Sequence, residues 1–179
     1  GLRFDSLDET VTESLISAGN ANASPAVARA FWRALASSGS SRAPQARRAL
    51  VELSLEHGGA GELAEALVLL DEAGEAGPDE LARGALVLAD AGSQEAVPIL
   101  ARAVRGDRAG GEATRLVFAS GDETLYELAR FLERPGDQRD LRRSAAIYEH
   151  IVDDRPLSAR WDDSRERLEF LQRHYFDVR

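Results

Sequence analysis

The chain has 179 residues, 44% of them hydrophobic and 30% charged, which suits one globular domain or one continuous repeat array. It has no cysteine, and all 22 basic residues are arginine, so disulfides, zinc-thiolate sites, cysteine nucleophiles, Schiff-base lysines and the lysine of phosphate-binding loops are excluded. The net charge of −9 disfavours nucleic acid as a partner, because phosphate binding depends on clustered positive charge.

The first half of the chain is predicted to form four short helices separated by Gly, Ser and Pro. Ser6 and Glu9 form a capping box, and Ser24 followed by Pro25 is a second helix start. A Gly-Gly pair at 58–59 ends the third helix. Apolar residues recur at helical spacing in each segment. The predicted helices cover residues 7–18, 25–36, 43–57 and 62–73.

The second half of the chain is predicted to form six further helices. Pro78 lies in the first turn of the fifth helix, and acids follow it, as the helix dipole favours. Ser93, Asp137 and Ser158 are predicted N-caps. Pro98 falls inside the sixth helix, where we expect a kink. The predicted helices cover residues 78–91, 94–105, 111–120, 122–133, 138–153 and 159 to near the C-terminus.

These elements predict an all-α fold, an α-solenoid of about five antiparallel helical hairpins. Connections of about two to six residues force neighbouring helices to run antiparallel. No strand is predicted, since apolar runs such as 67–70 lie inside longer helical patterns. We expect one helical-repeat domain over 1–179, divided into an N-terminal hairpin (1–42), central repeats (43–136) and a longer C-terminal hairpin (137–179).

The spacing of helix starts resembles that of a known repeat family. Pro44 and Pro78 lie 34 residues apart, which is the period of tetratricopeptide repeats. The segment 81–92, followed by Glu95-Ala96 and Ala103, resembles one such unit. Its turn to the second helix is one residue shorter than the family pattern. Several earlier segments are equally similar to HEAT repeats.

The C-terminal hairpin is similar to tetratricopeptide hairpins of bacterial envelope proteins, through residues 146–158 and 164–168. Those proteins include outer-membrane assembly lipoproteins and the helical domains attached to some lytic transglycosylases. The resemblance implies a non-catalytic scaffold that binds a peptide or protein partner in a bacterial envelope complex. The alternative that it implies is a helical accessory domain of a larger enzyme, such as a peptidoglycan-cleaving one, with the catalytic part outside this chain.

The expected location follows from the same resemblance and from composition. The absence of both cysteine and methionine is typical of an extracytoplasmic setting, where oxidation is a hazard. We therefore expect a periplasmic or outer-membrane-associated protein, with the cytoplasm as the alternative. No apolar run is long enough to span a membrane, and peripheral membrane association through a segment upstream of Gly1 is the remaining expectation.

No catalytic, metal or cofactor site is predicted. The three histidines, His57, His150 and His174, are far apart and show no metal-ligand spacing. The paired acids at 153–154 and 162–163 fall at helix ends, where they cap a helix or offset its dipole. The chain is therefore expected not to be an enzyme.

Three arginines are the predicted partner-binding residues. Arg48, Arg83 and Arg115 occupy similar places in the first helices of successive hairpins, at spacings of 35 and 32 residues. Equivalent positions of a solenoid form a column, which can hold an acidic or carboxylate-bearing peptide by bidentate hydrogen bonds. Arg47 and Arg142 are predicted to extend this column. The alternative is a solvated face with local partners, such as Glu52 for Arg48.

The C-terminal segment is rich in aromatic residues. Trp161, Phe170, Tyr175 and Phe176 outnumber what one amphipathic stripe needs. We expect most of them to pack in the core and against the preceding hairpin. The alternative is an exposed aromatic patch that contacts another part of the protein.

Overall fold

The structure is a computed structural model that describes residues 24–107 and 111–176. The predicted helix over 7–18 and its capping box lie outside these residues. The described residues contain helices and turns but no strand, and each helix packs against at least one of its chain neighbours. The predicted all-α fold of packed helical hairpins is therefore confirmed. The chain divides into two compact units, Gly1–Ala76 and Gly77–Arg179.

The described part of the first unit contains three helices: α1 (Pro25–Ala36), α2 (Ala43–His57) and α3 (Ala60–Glu72). Helix α2 packs against both α1 and α3. The predicted cap of α1 is present, since the Ser24 hydroxyl accepts a hydrogen bond from the Val27 amide at 3.4 Å. One apolar stripe from each helix forms the core of this unit, including Trp32, Leu35, Ala46, Leu50, Leu63, Leu67 and Leu70.

The described part of the second unit contains six helices and a terminal π-helical turn. They are α4 (Pro78–Asp90), α5 (Ala96–Gly106), α6 (Glu112–Phe118), α7 (Asp122–Glu133), α8 (Leu141–Asp154) and α9 (Trp161–Leu171), followed by the turn Gln172–Phe176. Helix α4 packs against α5 and α6, and α5 packs against α6 and α7. Helix α8 packs against α7 and α9. Contacts with the next one or two helices are typical of a helical repeat.

Two helix starts differ from the prediction, and in each a carboxylate accepts a hydrogen bond from an amide at the start of the helix. Helix α3 begins at Ala60 instead of residue 62, since the Glu62 carboxylate accepts a hydrogen bond from the Gly59 amide at 2.9 Å. Helix α8 begins at Leu141, and its N-cap is Asp140, whose carboxylate accepts from the Arg143 amide at 3.0 Å. The prediction of Asp137 as the cap was therefore wrong.

Two other helices begin two residues later than predicted. Helix α5 begins at Ala96, which places Pro98 in its first turn. A backbone amide in the first turn has no acceptor within the helix, so the missing amide of Pro98 interrupts no helical hydrogen bond. The reason for expecting a kink therefore does not apply. Helix α9 begins at Trp161, and Ser158 accepts a hydrogen bond from the Arg160 amide at 3.1 Å in the preceding turn.

Arginine side chains close several helix C-termini, where the last carbonyls have no partner within the helix. Arg155 donates to the carbonyls of Phe118 and Ser120, at 2.6 and 2.7 Å. Arg143 donates to the carbonyls of Val104 and Asp107. Further bonds of this kind join Arg29 to His57 and Arg47 to Ala36, while Arg48 and Arg105 donate to the loop carbonyls of Glu75 and Asp137. A guanidinium suits this role because it carries five N–H donors in a fixed plane.

Candidate functional site

The three predicted partner-binding arginines are all exposed. Arg48 lies on α2 in the first unit, and it donates to the Glu75 carbonyl at 2.9 Å. Arg115 lies on α6 and pairs with Glu112 at 2.9 Å. Arg83 lies on the exposed face of α4. Two of the three guanidinium groups thus have acceptors within the protein, and the binding role of all three stays a prediction.

The two arginines that were expected to extend the column differ in exposure. Arg47 is half-buried and donates to both Glu75 carboxylate oxygens, at 2.9 and 2.5 Å, and to the Ala36 carbonyl at 2.8 Å. The hydrogen bond with Glu75 raises the pKa of Arg47 and lowers the pKa of Glu75. Arg47 therefore links the end of α1 to Glu75, in the segment that follows α3. Arg142, by contrast, is exposed.

A groove of about 540 Å³ lies in the second unit, between the start of α5 and one side of α7. Val97 and Pro98 line it from α5, and the turn between α4 and α5 closes one side. The side chains that line it from the α7 segment are Glu123, Thr124, Glu127, Phe131 and Arg134. This groove was not predicted from the sequence.

The groove follows from how α7 divides its residues between two faces. Leu125, Leu128 and Leu132 are fully or almost fully buried, and they hold α7 in the core. Thr124, Glu127, Phe131 and Arg134 recur at a spacing of three or four residues on the other side. This second stripe is half-buried or exposed, because α5 covers only part of it. An aromatic residue on an otherwise polar stripe was the one signal of the groove in the sequence.

An arginine from outside α7 neutralises one of the two groove carboxylates. Arg160 donates to both oxygens of Glu123, at 2.6 and 2.7 Å, and its guanidinium lies 4.8 Å from the ring centre of Tyr126. This hydrogen-bonded pair lowers the pKa of Glu123. Glu127 is half-buried and has no ion-pair partner within the described part of the chain. Glu127 is therefore the carboxylate that the groove leaves uncompensated.

The opposite end of the groove carries a positive charge. Arg134 is exposed, and its guanidinium lies 5.8 Å from the ring centre of Phe131. This distance is within the range of a cation–π contact. The groove therefore has a negative group, an aromatic ring and a positive group in sequence along α7.

A buried polar cluster fixes α7 in place behind the groove. The Tyr148 hydroxyl, on α8, donates to the Glu133 carboxylate at 2.6 Å, and Arg167, on α9, pairs with the same carboxylate. The pKa of Tyr148 is raised mainly by burial and, to a smaller extent, by the hydrogen bond to Glu133. Three helices thus share one carboxylate, which gives the α7 wall of the groove a defined position.

The histidines lie at separate places in the fold. His57 is exposed at the end of α2, and His174 is exposed beyond α9. The ring of His150 lies 2.7 Å from the Asp154 carboxylate and 3.1 Å from the Phe118 carbonyl. The described residues contain no group of three or more side chains that could hold a metal ion. The paired acids lie at the end of α8 and in the first turn of α9, as predicted.

Most of the C-terminal aromatic residues are exposed, so the expectation that they pack in the core was wrong. Phe170, Tyr175 and Phe176 keep 37%, 48% and 41% of their surface accessible. The last two lie in the terminal π-helical turn, which buries no residue. Trp161 is half-buried, and its indole N–H donates to the Val152 carbonyl at 2.9 Å. Three of the four are thus exposed, and the alternative of a patch that contacts another part of the protein stays a prediction.

The comparisons with known proteins add no family to this picture. No protein-family model, curated protein or solved structure was found to match the chain. Within the two described stretches, none of the helices has the length and apolar character that a membrane span requires. The fold and the site therefore define a class: an all-α protein with helical-repeat packing and an open groove of mixed polarity.

Proposed function

We propose that this chain is a non-catalytic interaction module that binds a peptide or protein segment in the groove between α5 and α7. The groove itself is the observation that supports this function. Its volume of about 540 Å³ falls within the roughly 300–1,000 Å³ of typical ligand sites. Its lining combines apolar surface with polar and charged groups, so it can contact both the apolar and the polar side chains of a short segment.

The charges in the groove favour binding over catalysis. Hydrolysis by two carboxylates needs both of them to face the bond that is cleaved. Here Glu123 is committed to Arg160 by two hydrogen bonds, which leaves Glu127 as a single carboxylate. One uncompensated carboxylate beside an aromatic ring can bind a cation without performing chemistry.

The proposal includes a place in the bacterial envelope, either in the periplasm or at the outer membrane. Two features of the sequence support it. The chain lacks both residues that oxidise most readily, cysteine and methionine. Its C-terminal hairpin, α8 and α9, carries the residues that resemble hairpins of envelope proteins. A scaffold in an envelope complex combines these features with the groove.

A random-peptide display library tests the proposed function. The library is panned against the wild-type chain, and the enriched peptides are then titrated against two variants. Val97→Asp places a charge on the half-buried apolar side of the groove. Val87→Asp makes the same change at a residue that is 48% exposed and does not line the groove.

We expect enriched peptides to bind the Val97→Asp variant at least about tenfold more weakly than wild type, which corresponds to ~1.4 kcal/mol. The Val87→Asp variant should bind like wild type. Far-UV circular dichroism checks that both variants keep their helices. Failure to enrich any peptide, or equal binding by both variants, would overturn the proposal.

A further inference from the structure

We infer that the groove selects an extended peptide with three consecutive features: a basic residue opposite Glu127, an apolar residue against Phe131 and a carboxylate opposite Arg134. This inference rests on the proposed function and specifies its partner. It differs from the sequence prediction of an acidic ligand on the exposed arginines, because here the first recognised charge is positive.

The basic residue is required by the one uncompensated carboxylate. Arg160 already neutralises Glu123, so a cation that enters the groove finds its counter-charge at Glu127. Glu127 is half-buried, so a ligand cation there is partly shielded from water, which strengthens the pairing. The chain's net charge of −9 adds a long-range attraction for a basic segment.

The apolar residue is required by the surface between the two charges. Phe131 lies one helical turn after Glu127 on the same stripe and is half-buried. Val97 and Pro98 line the groove from α5. A ligand side chain that covers Phe131 removes further apolar surface from water, which favours binding in proportion to the area covered.

The distance between the charged residues sets the spacing within the ligand. Glu127 lies within α7 and Arg134 directly follows its last residue, so their backbones are about 10 Å apart along the helix axis at 1.5 Å per residue. An extended peptide advances roughly 3.3 Å per residue, so its basic residue and its carboxylate should be about three positions apart. The carboxylate can belong to Asp, to Glu or to the peptide C-terminus, since each can accept two hydrogen bonds from Arg134.

Charge reversal in the groove tests this inference. The same display library is panned in parallel against wild type, Glu127→Arg and Glu149→Arg. Glu149 is an exposed acid on α8 that does not line the groove, so its reversal changes the net charge equally. Glu127→Gln serves as a second groove variant that removes the charge with little change in shape. Circular dichroism and thermal unfolding show which variants are folded.

The wild type and Glu149→Arg should enrich peptides with Lys or Arg, then an apolar residue, then an acid about three positions after the base. Glu127→Arg should lose the preference for a basic residue and bind the wild-type peptides at least about tenfold more weakly. In a selected peptide, replacing the base by Ala should weaken binding to wild type but leave binding to Glu127→Gln unchanged. This double-mutant cycle isolates the pairing from other effects.

The possible results separate this inference from the proposed function. Peptides that Val97→Asp no longer binds, but that contain no basic residue or ignore Glu127→Arg, would overturn the inference and leave the function standing. Peptides that bind Val97→Asp and Glu127→Arg as well as they bind wild type would place the binding site outside the groove. That result would overturn both the inference and the proposed function. A library that yields no enriched peptide would overturn both as well.

Discussion

Removing one buried hydroxyl should measure how firmly the α7 wall of the groove is held. The change Tyr148→Phe deletes the hydrogen bond to Glu133, which is 2.6 Å long and made by a fully buried side chain. The ring remains, so no large cavity term is added. A hydrogen bond to a charged group contributes roughly 1.5–3 kcal/mol. Because Arg167 still pairs with Glu133, we expect a loss of about 2 kcal/mol, near the lower end.

Urea unfolding followed by circular dichroism measures this loss, and a matched tyrosine provides the control. Tyr126→Phe makes the same chemical change in the same unit, but its hydroxyl only accepts a long hydrogen bond of 3.5 Å from Arg130. Tyr126 is also almost buried, at 8% exposure. We expect this control to lose less than about 1 kcal/mol, because a donor–acceptor distance of 3.5 Å lies beyond the usual range of hydrogen bonds and such a contact contributes little.

The difference between the two tyrosine variants shows whether the hydrogen bond between Tyr148 and Glu133 stabilises the fold. A loss of ~2 kcal/mol lowers the melting temperature by roughly 4–8 °C in a chain of this size. If Tyr148→Phe and Tyr126→Phe unfold at the same urea concentration, the shared carboxylate of Glu133 does not stabilise the fold. In that case the cluster around Glu133 would not fix the position of the α7 wall.

Three further predictions concern other parts of the molecule. If the exposed arginines bind an acidic partner, Arg83→Glu combined with Arg115→Glu should abolish capture of acidic display peptides without loss of helical signal; undiminished capture would rule this out. Since Arg47 holds the pKa of Glu75 below its usual 4.5, the pair stabilises the fold above that pH and loses its contribution as the pH falls through the lowered pKa. The stability gap between wild type and Glu75→Gln in urea should therefore narrow on acidification, and a constant gap would contradict this. Gly92→Ala should lower the free energy of unfolding by about 1 kcal/mol, measured by thermal unfolding, because φ is +70° at this position. An added Cβ would meet no atom within 4 Å, so the loss can come only from backbone strain, and an unchanged stability would contradict this.

Local start and stop signals explain why both ends of some helices were predicted correctly. The bounds of α2, at 43 and 57, agree with the prediction, because Pro44 and Gly58 act through their own backbone. A Cβ at position 58 would lie 2.6 Å from the Ser54 carbonyl oxygen, so only glycine fits there. Such signals need no information from distant parts of the chain.

The start of α8 shows where local signals are insufficient. Asp137 and Asp140 can both cap a helix, and the sequence does not distinguish them. In the structure, the Asp140 amide donates to the Leu132 carbonyl at 2.9 Å, which holds the segment against the end of α7. This contact between two helices selects Asp140, and no pattern within the segment contains it.

The candidate site was harder to predict than the fold for the same reason. Arg48 and Arg115 were selected by their spacing, and the sequence could not show that each finds an acceptor within the protein. The groove joins residues near 97 to residues near 131, and its polarity depends on Arg160 from a third segment. Only packing brings these side chains together.

The arginine links at helix ends have a consequence for how the chain folds. The longest of those described, from Arg143 to Val104, spans 39 residues, and the link from Arg155 to Phe118 spans 37. Most contacts in the chain join residues that are fewer than twelve positions apart, and a predominance of such local contacts is associated with fast folding. Each link can form as soon as the next hairpin has been synthesised, without waiting for the C-terminus. We therefore expect each hairpin to pack against the preceding one while the chain is still being synthesised on the ribosome. The apolar surface exposed to water at any time is then limited to that of the hairpin synthesised last.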